Sequence, residues 1–221
     1  MAEAVNPRRA YNSARRREQA AATRHEILEA AQRLFERQGY AATTMAAIAA
    51  EAGVALKTVY VAFETKSGVL RALWNLLLRG DEENVPVADR PVYREMLEER
   101  DPERQLRLNA RNSRDGKLRV GAIAEVIRSA APGDPEIELL WKRIETEYHS
   151  NQRAIIESLA AKKALKTGLD VDRAADILWT LNHPTLWQLF VRQRGWSPEE
   201  YEQWCADTAC AQLLRATKKR T

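Results

Sequence analysis

The stretch from Thr44 to Phe63, TMAAIAAEAGVALKTVYVAF, constrains the chain more than any other. Met45, Ile48, Ala49 and Ala52 recur at i, i+3, i+4 and i+7, which makes one apolar helical face. Thr44 stands before them as a candidate N-cap, its hydroxyl placed to accept from a backbone N–H two or three residues on. Gly53 follows, where the chain leaves the helix with a positive φ that only glycine adopts cheaply. A second helix is predicted from about Ala55, with Val59 and Phe63 four apart and turned toward the first. That leaves Ala55, Lys57, Thr58, Tyr60 and Val61 on or near the opposite side. This side carries a cation, two hydroxyls and small apolar groups, and no acid before Glu64. A plain helical hairpin has the same periodicity. The acid-free face is what suits a major groove, where Lys reaches phosphate or guanine, hydroxyls reach phosphate and methyl groups meet thymine. Helix, glycine turn, helix is also the spacing of a helix-turn-helix.

Charge is distributed to match. The net charge of the 221 residues is +4. Residues 1–24 hold six Arg (8, 9, 15, 16, 17 and 24) against Glu3 and Glu18, and so carry that whole excess. The end that holds the helix pair is therefore the basic end, as expected where only that part meets phosphates. Residues 1–20, with Pro7, Asn6, Asn12 and Ser13 and no apolar face, are expected to be a flexible basic arm. Arg15, Arg16 and Arg17 would lie along the DNA backbone or in a minor groove, though a solvated tail fits the same composition.

Further helices read clearly. One is predicted from about Thr23 to Gln38, with the stripe Ile27, Leu28, Ala31, Leu34 and Phe35, a capping box of Thr23 with Glu26, and Gly39 to close it. Another begins near Ser67 as its cap, with Val69, Leu70, Leu73, Trp74, Leu77 and Leu78 inward; Lys66 sits at its start, where a phosphate could be held. Acidic residues from Asp81 to Glu83, then Pro86 and Pro91, precede a short helical piece from Val92 to Glu98. Helices follow at about 102–113 and 116–131, and from about Glu136 to Leu159. Lys162 to Gly168 reads as an irregular link. A helix from Val171 to Arg194 should kink at Pro184, freeing a carbonyl near Thr180. Ser197-Pro198-Glu199-Glu200 starts the last helix, which reaches about Ala216. No strand-like alternation appears. The fold class is all-α.

Thr23 to Leu73 resembles the tetracycline-repressor (TetR) family of bacterial regulators. The motifs that carry the resemblance are ILEAAQRLFERQGY, TTMAAIAAEAGV and KTVYVAFETKSGVL. Tyr60, Phe63 and Lys66 match the family's tyrosine, phenylalanine and lysine. The resemblance implies a three-helix helix-turn-helix DNA-binding domain and a larger C-terminal helical domain that binds a small-molecule effector and forms a homodimer. Boundaries are drawn at 1–20 for the arm, 21–66 for the DNA-binding domain and 67–221 for the rest. By the same resemblance Lys57, Thr58 and Tyr60 contact double-stranded DNA at a palindromic operator, and Thr44 and Lys66 hold phosphates. Ala55 departs from the Ser or Thr common at the head of the recognition helix, which loses a cap and a contact. Val61 is plainer than the usual aromatic or His and would meet thymine methyl groups.

In the second half, five of the six Trp fall between Trp141 and Trp204. They either line an effector cavity or fill core and interface, where Trp is favoured in any case. The candidate pocket residues are Trp74, Trp141, Tyr148, Trp179, Asn182 and His183. The candidate dimer interface is Leu186, Trp187, Phe190 and Trp204, on the last two helices, which carry more apolar surface than one layer needs. Three scattered His give no metal spacing, and no cofactor is expected. No nucleophile–base pair, carboxylate dyad or phosphate loop supports an enzyme. Two Cys, no signal-like N-terminus and no run of roughly 18 apolar residues point to a cytoplasmic protein with no membrane partner. An activator, or an architectural DNA-binding protein without effector, remains the alternative to a repressor released by its effector.

Overall fold

The computed structural model describes residues 7–79 and 91–216. The described elements are all helices, with an isolated bridge of Leu165 with Leu214 as the one β-type pairing among the described residues. The chain forms two compact units, Met1–Asn75 and Leu76–Thr221. The division falls inside a helix, not at the 66/67 boundary expected from sequence.

In the first unit, α1 (Pro7–Ala42), whose helical path is broken at Gly39 (φ 77°, ψ 176°) where the sequence placed its close, precedes α2 (Met45–Glu51), α3 (Leu56–Phe63) and the start of α4 (Lys66–Arg79). The expected arm is helical from Pro7, and Thr23 lies within α1, so Thr23 with Glu26 does not start a helix. An Ala- and Arg-rich segment has high helix propensity, and continuing an existing helix avoids a second nucleation step. The stripe Ile27, Leu28, Ala31, Leu34 and Phe35 is buried, together with Met45, Ile48 and Ala49 of α2 and Val59 and Phe63 of α3. Val69, Leu70 and Leu73 bury the inner face of α4.

In the second unit, α5 (Pro91–Glu98) leads to α6 (Pro102–Ala130), α7 (Pro135–Ala161), α8 (Val171–Leu181), the short α9 (Pro184–Trp187) and α10 (Pro198–Leu213). The expected residues 81–90 and the basic tail beyond 216 lie outside the described residues. Helix α6 packs along α10 and α7 along α8, and α6 also meets α5, α7 and α9. One core gathers Leu106, Ile155, Ile156, Leu159, Leu178 and Leu213. A second gathers Ala110, Trp187, Tyr201, Cys205 and Ala206.

Two helix assignments are corrected. Residues 102–113 and 116–131 form one helix. A glycine inside a helix costs only about 1 kcal/mol relative to Ala, less than the burial gained by running the inward face through it. That face holds Ser113, Lys117, Val120 and Gly121. The helix expected over 171–194 breaks outright at Asn182–His183. His183 is extended (φ −64°, ψ 139°), as a residue before proline prefers, and its Nδ1 accepts from Thr185 N–H at 3.2 Å. The Thr180 carbonyl accepts from His183 N–H at 3.0 Å, so the break leaves it satisfied. Residues 188–193 then continue as a π-helical turn.

Candidate functional site

The geometry of the helix pair follows from its caps. Thr44 Oγ1 accepts from Ala47 N–H at 3.1 Å and starts α2. Gly53 turns the chain at φ +67°, Val54 N–H reaches back to the Ala49 carbonyl at 3.0 Å, and the path bends by 113° before α3. Ala55 heads α3 with no side-chain cap, as the sequence implied. Helix α3 buries Val59 and Phe63 against the core. Its other side presents Leu56 (41% exposed), Lys57, Tyr60 (48%) and Val61 (77%), with Thr58 half-buried. Leu56 was missed from sequence because its place at the helix start gave no face assignment.

Other basic groups brace the unit. The Arg24 guanidinium lies 4.1 Å over the Phe63 ring and donates to the Ala62 carbonyl, fixing α3 to α1. Arg33 pairs with Glu51 at 3.0 Å and ties α1 to α2. Lys66 corrects an expectation. Its ammonium donates to the carbonyl oxygens of Tyr40 (2.8 Å) and Thr43 (2.9 Å) and lies 4.0 Å over the Tyr40 ring. It anchors the end of α1. Nor does Ser67 cap α4: Thr65 Oγ1 accepts from Gly68 N–H at 2.9 Å instead. Arg15, Arg16 and Arg17 are exposed on α1.

The effector-pocket candidates are divided. Trp74 is buried in the first unit, and the others belong to the second. There Tyr148 OH donates to the Asn182 carbonyl at 2.7 Å, and the Trp179 and His183 rings meet edge-on at 4.8 Å. His183 lies 3.7 Å from Glu145, yet burial holds its pKa below the usual imidazole value. Trp141 is half-buried on α7.

Sequence reading missed the centre of this region. Gln105, Asn109, Ser113 and Lys117 repeat every fourth residue along α6, and all four are buried. Asn109 Nδ2 donates to Gln152 Oε1 at 3.0 Å, and Asn182 Nδ2 reaches the same oxygen at 3.4 Å. Ser113 Oγ and Tyr148 OH are 3.0 Å apart, and Lys117 Nζ donates to Ser113 Oγ. Burial alone pulls the Lys117 ammonium down to about 8. Three buried side-chain atoms here have no partner: Trp179 Nε1, Trp187 Nε1 and Asn182 Oδ1.

The dimer candidates are also sorted. Trp187 is 2% exposed within a single chain and sits edge-on to Tyr201 at 5.3 Å, so it is core and offers nothing to a partner. The Phe190 and Trp204 rings meet tilted, with centroids 4.7 Å apart, and both residues are half-buried, as is Leu186. Leu189, between them, is 42% exposed. Among the described residues no group of three His, Cys, Asp or Glu is placed to hold a metal ion, and no single helix is long and apolar enough to cross a membrane.

Comparison with known proteins places these features. Residues 27–73 match the profile of the bacterial regulatory proteins of the tetR family. A 63-residue segment is 43% identical to the HTH-type transcriptional regulator TtgR of Pseudomonas putida, spanning 28% of this chain and 30% of that relative. Among solved structures, NalD, the secondary repressor of the MexAB-OprM multidrug efflux pump in Pseudomonas aeruginosa, superposes with a TM-score of 0.69 at 20% identity, over 90% of this chain and 100% of that one. SmeT in its complex with triclosan gives a TM-score of 0.69 at 20% identity, over 88% and 92%. At that identity the likeness is one of fold. The likeness in sequence to the tetR family of bacterial regulatory proteins lies in residues 27–73, the segment that builds the helix-turn-helix, and the matched segment spans under a third of the curated relative's length.

Proposed function

We propose that the protein is a cytoplasmic, sequence-specific DNA-binding regulator of transcription, a repressor that leaves its operator when a small molecule enters the second unit. The observation that carries the reading is the outward face of α3. Leu56, Lys57, Tyr60 and Val61 stand exposed on a helix whose other side is locked by Val59, Phe63 and Arg24. A rigid helix with an exposed apolar, hydroxyl and cationic face suits a major groove better than bulk water. Thr44 keeps its O–H hydrogen for a phosphate while its oxygen caps α2, and Arg15, Arg16 and Arg17 add salt-dependent affinity. Two copies related by a two-fold axis would read a palindrome. SmeT is known in complex with triclosan, and NalD acts as a repressor. Those facts support the effector and the sign of regulation for a chain of the same fold.

The test is selection of bound duplexes from a random pool near physiological salt. An enriched palindrome, lost in the double variant Lys57→Ala, Tyr60→Ala, is expected. Binding without any enriched sequence, fading as salt rises, would leave only the basic helix at work and would replace this reading with an architectural one.

A further inference from the structure

We propose that the buried polar stripe of α6 seats a small organic carboxylate, gripped by Lys117 Nζ and Trp187 Nε1. This names the effector class and so rests on the regulatory reading above.

Tyr148 has one O–H hydrogen, and the Asn182 carbonyl accepts it at 2.7 Å. Ser113 must therefore supply the hydrogen of the 3.0 Å contact between the two hydroxyls. Ser113 Oγ in turn accepts from Lys117. The chain runs one way, from Lys117 through Ser113 and Tyr148 to a carbonyl. An ammonium has three hydrogens, so two remain on Lys117. No described acidic side chain pairs with it. Near it lie the Tyr201 ring, 5.6 Å away, and the Cys205 thiol, and the Tyr201 hydroxyl (2.8 Å) and Cys205 Sγ (3.2 Å) both already donate to the Leu181 carbonyl.

Trp187 adds a further buried donor beside the stem of Lys117. A Cβ built on Gly121 would lie 3.9 Å from Trp187 Nε1 and 3.9 Å from Lys117 Cβ, so the indole N–H and the lysine stem flank one bare patch of α6. Trp187 is 2% exposed and its N–H has no partner. A buried cation and a buried indole, both short of acceptors, are complementary to an anion with two oxygens. Asn182 is also 2% exposed, and its Oδ1 is unmet, which suits a hydroxyl on the ligand. The burial that pulls Lys117 down to about 8 would be offset by such an anion.

Calorimetric titration of the full chain with benzoate and hexanoate, against benzamide and hexanamide, tests this without DNA. Both carboxylates should bind at least about tenfold more tightly than their amides, a difference of the size charge-assisted bonds supply. Lys117→Met should abolish that preference, and Trp187→Phe should weaken carboxylate binding several-fold. Circular dichroism checks that each variant is folded. Replacing a buried charge by an apolar side chain of similar length is often tolerated, so Lys117→Met is the decisive one. The proposal is overturned by equal binding of acid and amide, by an unchanged preference in Lys117→Met, or by no binding of either carboxylate at about 10 mM. Failure of operator selection with the acid preference intact would sink the regulatory reading and leave the site. The reverse pattern would leave a regulator with another effector.

Discussion

Gly68, in the first turn of α4, faces the carbonyl oxygen of Phe63 so closely that a Cβ at Gly68 would fall 2.3 Å from it. The oxygen belongs to the backbone at the end of α3, so relief requires moving the helix that presents Tyr60 and Val61. Overpacking of this kind costs about 1–3 kcal/mol. Gly68→Ala should therefore lower the melting temperature, at roughly 2–4 °C per kcal/mol for a chain of this size. It should also weaken binding to the selected duplex more than the stability loss explains. Normal affinity at full stability would show that α3 is not held from this point.

Gly116 is the opposite case. Nothing lies within 4 Å of a Cβ built there, and the residue is inside α6. Gly116→Ala removes chain entropy from the unfolded state without a clash and should stabilise by about 0.5–1 kcal/mol in chemical denaturation. A loss of stability would mean that the helix is less regular at this turn than the hydrogen bonds indicate.

Lys57 and Lys66 separate two roles that the sequence merged. Lys66→Met leaves the Thr43 carbonyl short of its donor and the Tyr40 carbonyl with Thr43 N–H alone, and should cost about 1–3 kcal/mol of stability. Lys57→Ala changes an exposed side chain and should leave the denaturation midpoint within error. It should instead reduce the slope of log affinity against log salt by about 1, the signature of one lost phosphate contact. The reverse assignment, a salt-slope change for Lys66→Met at unchanged stability, would restore Lys66 to the interface.

The DNA-binding half was legible because its signals are local. Thr44 as cap, Gly53 at the turn and the Val59–Phe63 pair each act within a few residues, where spacing alone decides geometry. Lys66 was misread for the same reason: its partners, Tyr40 and Thr43, are more than twenty residues away. The inner site was missed through one boundary. Placing a break between Ser113 and Gly116 cut the stripe 105, 109, 113, 117, so Lys117 was never seen to share a face with Ser113. Continuity of α6 depends on burial against α10, and no local rule reports that. The unmet Trp187 N–H likewise becomes visible only once the side chains around it are placed.

Self-association, where it occurs through the end of the chain, should depend on Leu189. Phe190→Asp would strand a charge among Trp196, Tyr201 and Trp204, and so would break the core before any interface. Trp187→Ala should cost about 3–5 kcal/mol for the same reason. Leu189 is exposed, and Leu189→Glu should leave the fold intact while halving the mass seen by light scattering. A dimer that survives Leu189→Glu at micromolar concentration would place the interface elsewhere.

Lys117 also gives the pH dependence a definite sign. Burial holds its ammonium at about 8 in the folded chain, against an ordinary 10.5. Between those values the unfolded chain binds the proton that the folded chain has lost, so this group raises stability as pH rises from about 8 to 10.5. The groups facing it act otherwise. Burial pushes Tyr148, Tyr201 and Cys205 up, and each of these withdraws stability above its unfolded value. His183 titrates below this range, since burial lowers it. The observable is therefore the difference between the wild type and Lys117→Met, in which the tyrosine contributions cancel and the coupling of Lys117 to Cys205 is counted with the lysine. That difference should move in favour of the wild type as pH rises from 8 toward 10. A flat difference would mean that Lys117 is solvated or paired in solution, and would remove the uncompensated cation on which the carboxylate site depends.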